Sequence, residues 1–240
     1  MRFILVDTAD SRGSVALVRD ALPEAVEAHP ADVDYSSWLL PAVRKLLSAY
    51  GLSLAALDGY AVCCGPGSFT GLRIGLTTVK AWAEIYDRPI ASVSRLEALA
   101  GAQPDGHAAN APFVAAYIDA QRGQVFAALF EAGGRVSEPE TVIALSEFVA
   151  KVECRSGTQP VLWRTPDPQL LQAVPQWSSR LTAGDRLEPI APPFASALSL
   201  SAFRNFVRGQ VTDALGLDAN YVRRADAEIF WTGNSAAMKA

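Results

Sequence analysis

Gly65-Pro66-Gly67-Ser68-Phe69-Thr70-Gly71-Leu72-Arg73-Ile74-Gly75 holds four glycines and a proline within eleven residues. Glycine serves where the backbone takes positive φ or where another backbone comes close. Proline fixes φ and removes a donor. A shaped loop of this kind, entering a helix, is a candidate anion site, because free N–H groups and the helix dipole converge there. Two known phosphate patterns can be compared with it. The P-loop needs four residues between its glycines and a Lys after them. Gly67 to Gly71 is one residue short and no Lys follows. The dinucleotide fingerprint needs G-x-G-x-x-G, and Gly65, Gly67 and Gly71 put the last glycine one residue too far. The spacing favours a structural turn over a phosphate cradle.

Other reactive residue types are sparse. His29 and His107 lie far apart and neither has a partner one helical turn away, so no metal pair is expected. Ser68 and Ser94 do not sit in a G-x-S-x-G elbow. The 3 cysteines include the adjacent Cys63 and Cys64, which suits neither a disulfide framework nor a zinc site. They read as core thiols closing a strand. The formal net charge is −4 with no basic block, which argues against tight independent binding to nucleic acid. Half the residues are hydrophobic, yet no apolar run approaches the roughly 18 residues of a membrane span. The run Phe3 to Val6 is too short for a signal peptide. A cytoplasmic, membrane-free protein is expected, with ample length for a core.

The helix after the glycine loop, expected over Leu72–Tyr86 with Thr70 as its N-cap, carries two apolar stripes. Leu72, Leu76, Val79, Ala83 and Tyr86 form one. Gly71, Gly75, Thr78, Trp82 and Ile85 form the other. A surface helix needs one stripe. The second is either buried against the chain's own elements or left open for another chain. On the second reading Gly71, Gly75, Thr78, Trp82 and Ile85, with Trp38 of the preceding helix, make a partner surface. It would also support homodimerisation when the chain is alone.

The elements that must position these residues alternate in an α/β manner. Phe3–Asp7 and Ser14–Arg19 read as a hairpin, with Ala25–His29 as a third strand. Tyr35 to Tyr50 has helical period, with Pro41 requiring a start about a turn before it or a kink. Leu57–Cys64 and Ile90–Val93 are strands flanking the long helix. Residues 101–112, rich in Ala, Gly and Pro, read as a linker. Phe113–Asp119 and Gln124–Glu131 then form a second hairpin around Gln121–Gly123, and Phe194–Arg208 a late helix. The repeated order predicts two α/β lobes. The first spans 1–105, joined by the helix at 194–208. A smaller second lobe covers 106–193, and 209–240 is a tail.

The glycine motif, followed by a small-residue helix, resembles the signature of the TsaB (YeaZ) family of bacterial tRNA threonylcarbamoyladenosine biosynthesis proteins. Further segments are similar in the same order. They are Phe3-Ile4-Leu5-Val6-Asp7-Thr8-Ala9, Leu39-Leu40-Pro41 with Leu46-Leu47, Val93-Ser94-Arg95-Leu96-Glu97-Ala98-Leu99-Ala100, Asp119 to Phe126, and Tyr221-Val222-Arg223. Two places depart from it. Asp34-Tyr35-Ser36-Ser37 stands where relatives often carry His-Ser-Glu or His-Thr-Glu, and Gln121 and Gln124 replace a commonly charged pair.

The resemblance implies the duplicated fold shared by actin, sugar kinases and heat-shock chaperone ATPases. In that superfamily the turn after the first strand grips phosphate. Asp7, Thr8 and Asp119 would then mark a vestigial nucleotide site, with Gly65, Pro66, Gly67, Ser68, Phe69 and Thr70 as a structural loop. Asx-turn roles remain the alternative for both aspartates. The resemblance further implies a subunit without catalytic residues or metal of its own. It would pair with TsaD, work beside a nucleotide-binding TsaE-type component, and meet tRNA only through that complex. It implies no cofactor for the chain alone, and ATP or ADP at the joint with TsaD. The competing expectation is an enzyme of the same superfamily, an ATP-dependent phosphotransferase or a metallopeptidase-like hydrolase.

Overall fold

The computed structural model describes residues 1–103 and 111–222. Two five-stranded sheets are built by the same plan. The first uses β1 (Arg2–Asp7), β2 (Ser14–Arg19), β3 (Leu22–Ala28), β4 (Gly59–Gly65) and β5 (Ile90–Ser94) in the order β3-β2-β1-β4-β5. The second uses β6 (Phe113–Asp119), β7 (Gln124–Glu131), β8 (Val136–Ala144), β9 (Val161–Thr165) and β10 (Arg186–Pro189) in the order β10-β9-β6-β7-β8. Reversed, the second order matches the first strand for strand. In each sheet a meander of three antiparallel strands is followed by two parallel additions. Asp7 and Asp119 therefore occupy equivalent ends, paired with Ser14 and Val125 across their hairpins.

Burial follows position in the sheet. β1 lies in the middle of its sheet, and Phe3 to Asp7 are all buried. Such strands read as continuous apolar runs. β3 and β8 are edges and stay partly exposed. The second sheet is organised around the fully buried Trp163, whose ring meets Tyr117, Phe148 and Trp177 edge-on at 6.5, 5.9 and 6.0 Å. Its indole N–H donates to Asp185 at 2.7 Å, a partner that burial demands.

Helices α1 (Tyr35–Ala49), α2 (Phe69–Tyr86) and α3 (Arg95–Ala100) belong to the first half of the chain. α4 (Leu145–Ser156), α5 (Pro168–Gln172), α6 (Trp177–Thr182) and α7 (Ala195–Val207) follow. α7 returns to pack on α3 and on β1, β2, β3 and β5, and Thr212 then bridges Ile90. α1 starts at Tyr35, so Pro41 lies well inside it. Pro41 is exposed, and the carbonyl it fails to bond one turn earlier belongs to the exposed Ser37.

The helix after the glycine loop starts earlier than the sequence suggested. Ser68, not Thr70, is the N-cap, its hydroxyl accepting from Gly71 N–H at 3.3 Å. Most of the expected linker, His107, Arg223 and the remainder of the tail lie outside the described residues.

A cleft between the lobes and an outer helical face

A cleft of about 620 Å³ opens between the two sheets. The β1–β2 turn (Ala9 to Arg12), the glycine loop (Pro66 to Phe69), the β6–β7 turn (Asp119 to Arg122) and the segment Asn220 to Val222 line it. Asp119 is on its wall and Asp7 is not. Asp7 lies beneath the floor with no solvent exposure. Both of its oxygens accept from Arg95 Nη2 at 2.7 Å, and one also accepts Ala9 N–H at 3.1 Å. The Asx-turn and the ion pair coexist.

Arg95 heads α3, a helix capped by Ser94, which accepts Glu97 N–H at 3.2 Å. Arg95 Nη1 is 2.7 Å from Asp10 Oδ2, and the guanidinium stands 5.1 Å from the Phe194 ring centroid. Arg95 Nε finds no acceptor among the described residues. Burial alone would discourage its charge, but Asp7 and Asp10 together drive its pKa upward. Burial likewise works against ionised Asp10. The charge of Arg95 and the hydrogen bond from Arg12 overcome that and hold its carboxyl below the ordinary value. Arg12 completes the chain of charges. It meets Asp10 Oδ2 at 2.7 Å and reaches across the cleft to Asp167 Oδ1 at 2.7 Å. Asp167 in turn accepts Asp119 N–H at 2.8 Å, while Asp119 accepts Gln121 N–H at 2.8 Å in its own turn.

The floor of the cleft is closed by contacts between its own loops. Ser68 N–H, at the loop that would cradle a phosphate, donates to Ala9 O at 2.6 Å. A Cβ on Gly67 would sit 2.2 Å from that same oxygen, so glycine is what allows the two loops to touch. Thr8 is buried and donates to Gly71 O at 2.7 Å. Asp7 and Asp10 face the Arg95 guanidinium, while Asp119 on the cleft wall accepts from Gln121. No group of three His, Cys, Asp or Glu suited to a metal occurs among the described residues.

A second junction binds the lobes on the side of the tail. Glu140, on the edge strand β8, accepts from Ser94 Oγ of the first lobe and from Asn220 Nδ2. Asn220 N–H also donates to Cys64 O at 2.8 Å. Burial raises the Glu140 carboxyl above its ordinary value, although both hydrogen bonds oppose it.

Of the two readings of the second stripe on α2, burial by the chain itself holds for most of it. Gly71, Gly75 and Trp82 are buried by the chain itself. A Cβ on Gly75 would come within 2.4 Å of Thr8 Oγ1, and the Trp82 ring packs 5.8 Å from Tyr60. Helix α2 needs its small residues to lie close on the end of β1, which is why the pattern arose. Thr78 is half-buried, and Ile85 alone of the five is fully on the surface, 71% exposed. Trp38 is half-buried, edge-on to His29 at 5.0 Å and to Tyr35 at 5.8 Å. The open face of α2 instead runs through Arg73, Thr77, Ala81 and Ile85.

Arg95, Arg12, Asp167 and Glu140 were not singled out from the sequence. Arg95 gave a usable signal, an arginine in the otherwise apolar stretch between Ser94 and Ala100 apart from Glu97. The others depend on contacts across the lobes and gave none.

With this geometry the comparisons with known proteins agree. The family described as "TsaD: tRNA N6-adenosine threonylcarbamoyltransferase" matches residues 28–161, more than half of the chain. The tRNA threonylcarbamoyladenosine biosynthesis protein TsaB of Bacillus subtilis is 29% identical over 96% of this chain and 98% of its own length. The solved structure of YeaZ from Pseudomonas aeruginosa superposes with a TM-score of 0.68 at 28% identity, over 92% of this chain and 99% of that one. A polyphosphate/ATP-glucomannokinase from Arthrobacter shares the fold alone, with a TM-score of 0.52 at 10% identity over 86% of this chain and 99% of its own. A chain with two sheets of one plan and a family match through the first lobe and into the second belongs to the TsaD family, and along nearly its whole length it is similar to TsaB and YeaZ.

Proposed function

We propose that this chain is a non-catalytic subunit that pairs with a TsaD-type threonylcarbamoyltransferase. It activates that partner in forming threonylcarbamoyladenosine beside the anticodon of tRNA. The observation that carries the reading is the Asp7–Arg95 pair. The carboxylate best placed for phosphate chemistry is held by an internal cation, which supports a chain that keeps the fold without that chemistry. A chain of that kind contributes by shape. It can stabilise one conformation of a partner only by as much as it prefers that conformation.

The docking face in this reading is the open side of α2 with the adjoining surface of α1, where Ile85 and Leu40 stand exposed. Nucleotide, where it is used, belongs at the joint with the TsaD-type partner and to a TsaE-type component. Transfer RNA is met through the assembly. The same face would support self-association in the partner's absence, in the cytoplasm where tRNA is modified. The experiment is co-purification with a TsaD-type partner, followed by threonylcarbamoyl-transfer assays with each component omitted in turn. Loss of activity on omitting this chain, with no activity from the chain alone, is the expected result. Tight binding of ATP and Mg²⁺ by the isolated chain in calorimetry would favour a phosphotransferase instead.

A further inference from the structure

We propose that Arg73, held over the Phe69 ring and donating to the Tyr221 hydroxyl, is the charged anchor of the docking face and pairs with a carboxylate of the partner subunit. The inference rests on the reading of the chain as a docking subunit and names the chemistry of one contact.

The Arg73 guanidinium carbon lies 3.7 Å from the Phe69 ring centroid. Its Nε is 3.4 Å from Tyr221 Oη, and the two aromatic rings are 5.0 Å apart. All three side chains are exposed, Phe69 37% and Tyr221 43%, at the rim where Phe69 and Tyr221 also line the cleft. Arg73 makes no ion pair with any carboxylate among the described residues. A guanidinium stacked on a ring has already lost much of its rotamer freedom, so the fork is preorganised for a planar acceptor. Exposed Tyr and Arg together have the composition of an interface hot spot.

Position supplies the complementarity. Arg73, Thr77, Ala81 and Ile85 are four residues apart and all exposed, so they form one ridge along α2. A facing helix seats against such a ridge. Ile85 sits at its C-terminal end and Arg73 at its N-terminal end. The first turn of α2 contains no acidic residue, so the positive end of the helix dipole adds to the charge of Arg73 there. Among the described residues no carboxylate meets this end of the ridge. A protein carboxylate fits better than an RNA phosphate, because backbone recognition needs several cations together and this chain carries a formal net charge of −4.

The test is calorimetry of the full chain against a purified TsaD-type partner at low and moderate salt. The variants are Arg73→Ala, Arg73→Lys and Tyr221→Phe, each with a urea unfolding curve. Arg73→Ala is expected to weaken association on the order of thirtyfold and to flatten its salt dependence, with unfolding little changed. Arg73→Lys should recover only part of the affinity, because an ammonium does not reproduce the stacked fork. Tyr221→Phe should lose less than Arg73→Ala. Should Arg73→Ala fail to fold, Arg73→Lys carries the test, and wild-type affinity at both salt levels would overturn the proposal. Affinity of Arg73→Ala within threefold of wild type would overturn it too. So would unchanged partner affinity with a weakened chain, which makes the trio an internal pin for Tyr221, or with weakened tRNA binding by the assembly, which makes Arg73 a phosphate contact. No association by the wild-type chain would remove the docking reading itself, and this inference with it.

Discussion

Arg95 Nη2 lies 2.7 Å from each carboxylate oxygen of Asp7, with the arginine side chain 1% exposed and the aspartate 0%. A pair this deep gains little over an apolar substitute, but breaking it leaves an uncompensated buried charge. Asp7→Ala should therefore cost stability, about 3 kcal/mol or more in urea unfolding, with Asp10 softening the loss. Arg95→Met added to Asp7→Ala should restore part of it. In the assembled complex, under conditions where the variant is folded, transfer should stay within about tenfold of wild type. A loss of several orders of magnitude with assembly intact would make Asp7 a participant in the chemistry.

The covered and open sides of α2 separate fold from docking. Gly75→Leu must displace Thr8 and should destabilise the chain by about 3 kcal/mol or prevent folding. Trp82→Ala removes a buried aromatic and should cost about 3 to 5 kcal/mol. Ile85→Asp should change stability by no more than about 0.5 kcal/mol while weakening partner association at least tenfold. Urea curves and calorimetry on the three variants read this directly. Normal stability of Gly75→Leu with abolished docking would return the small-residue stripe to the interface.

Acid should act on the two lobe junctions with opposite sign. Asp10 has a folded pKa below its ordinary 3.8, so the unfolded chain takes up that proton first. Its contribution is complete above 3.8 and disappears as pH falls through the lower folded value. Glu140 has a folded pKa above its ordinary 4.5, so the folded chain holds that proton more tightly. Its contribution grows as pH drops through the window from the raised value down to 4.5. Unfolding free energy should rise slightly as pH falls from neutrality toward 4.5 and then fall steeply in stronger acid. In Glu140→Gln the slight rise should vanish. A rise of equal size in that variant would assign it to another group.

The thiols should react in two classes. Cys154 is exposed on α4, Cys63 is buried, and burial pushes Cys64 up to about 12. A thiol with that pKa is almost wholly protonated near neutrality, and the thiolate is the reactive form. Ellman's reagent should titrate one thiol quickly in the native chain and all three in denaturant. Rapid reaction of two native thiols would show that the Asn220–Cys64 junction opens.

Local patterns carried much of the fold. The strands read at Ser14–Arg19, Phe113–Asp119 and Gln124–Glu131 appear with those bounds. The late helix differs by one residue at each end. Each alternates or stays apolar in a way set by neighbours within its own sheet. What failed to appear in the sequence depends on distant contacts. Periodicity placed Gly71, Gly75 and Trp82 on a second apolar face of α2, and that is correct. It could not say that Thr8 and Tyr60 cover this face. Thr70 looked like the cap because it precedes the apolar rhythm, but Ser68, held against Ala9 just before the helix, caps it, and the first turn meets Thr8 through Gly71. Arg12 and Asp167 are 155 residues apart, and nothing local to either announces the bridge.

The central claim is that this chain acts as a subunit and not as a catalyst. It is tested most directly by titrating the chain into a fixed amount of TsaD-type partner, with the nucleotide-binding component, threonylcarbamoyl-adenylate donor and tRNA in excess. The rate of adenosine modification should climb in proportion to added chain and level off at a fixed molar ratio to the partner, with no activity from the chain alone. Full stimulation at trace amounts would mean that the chain turns over, and would contradict the account.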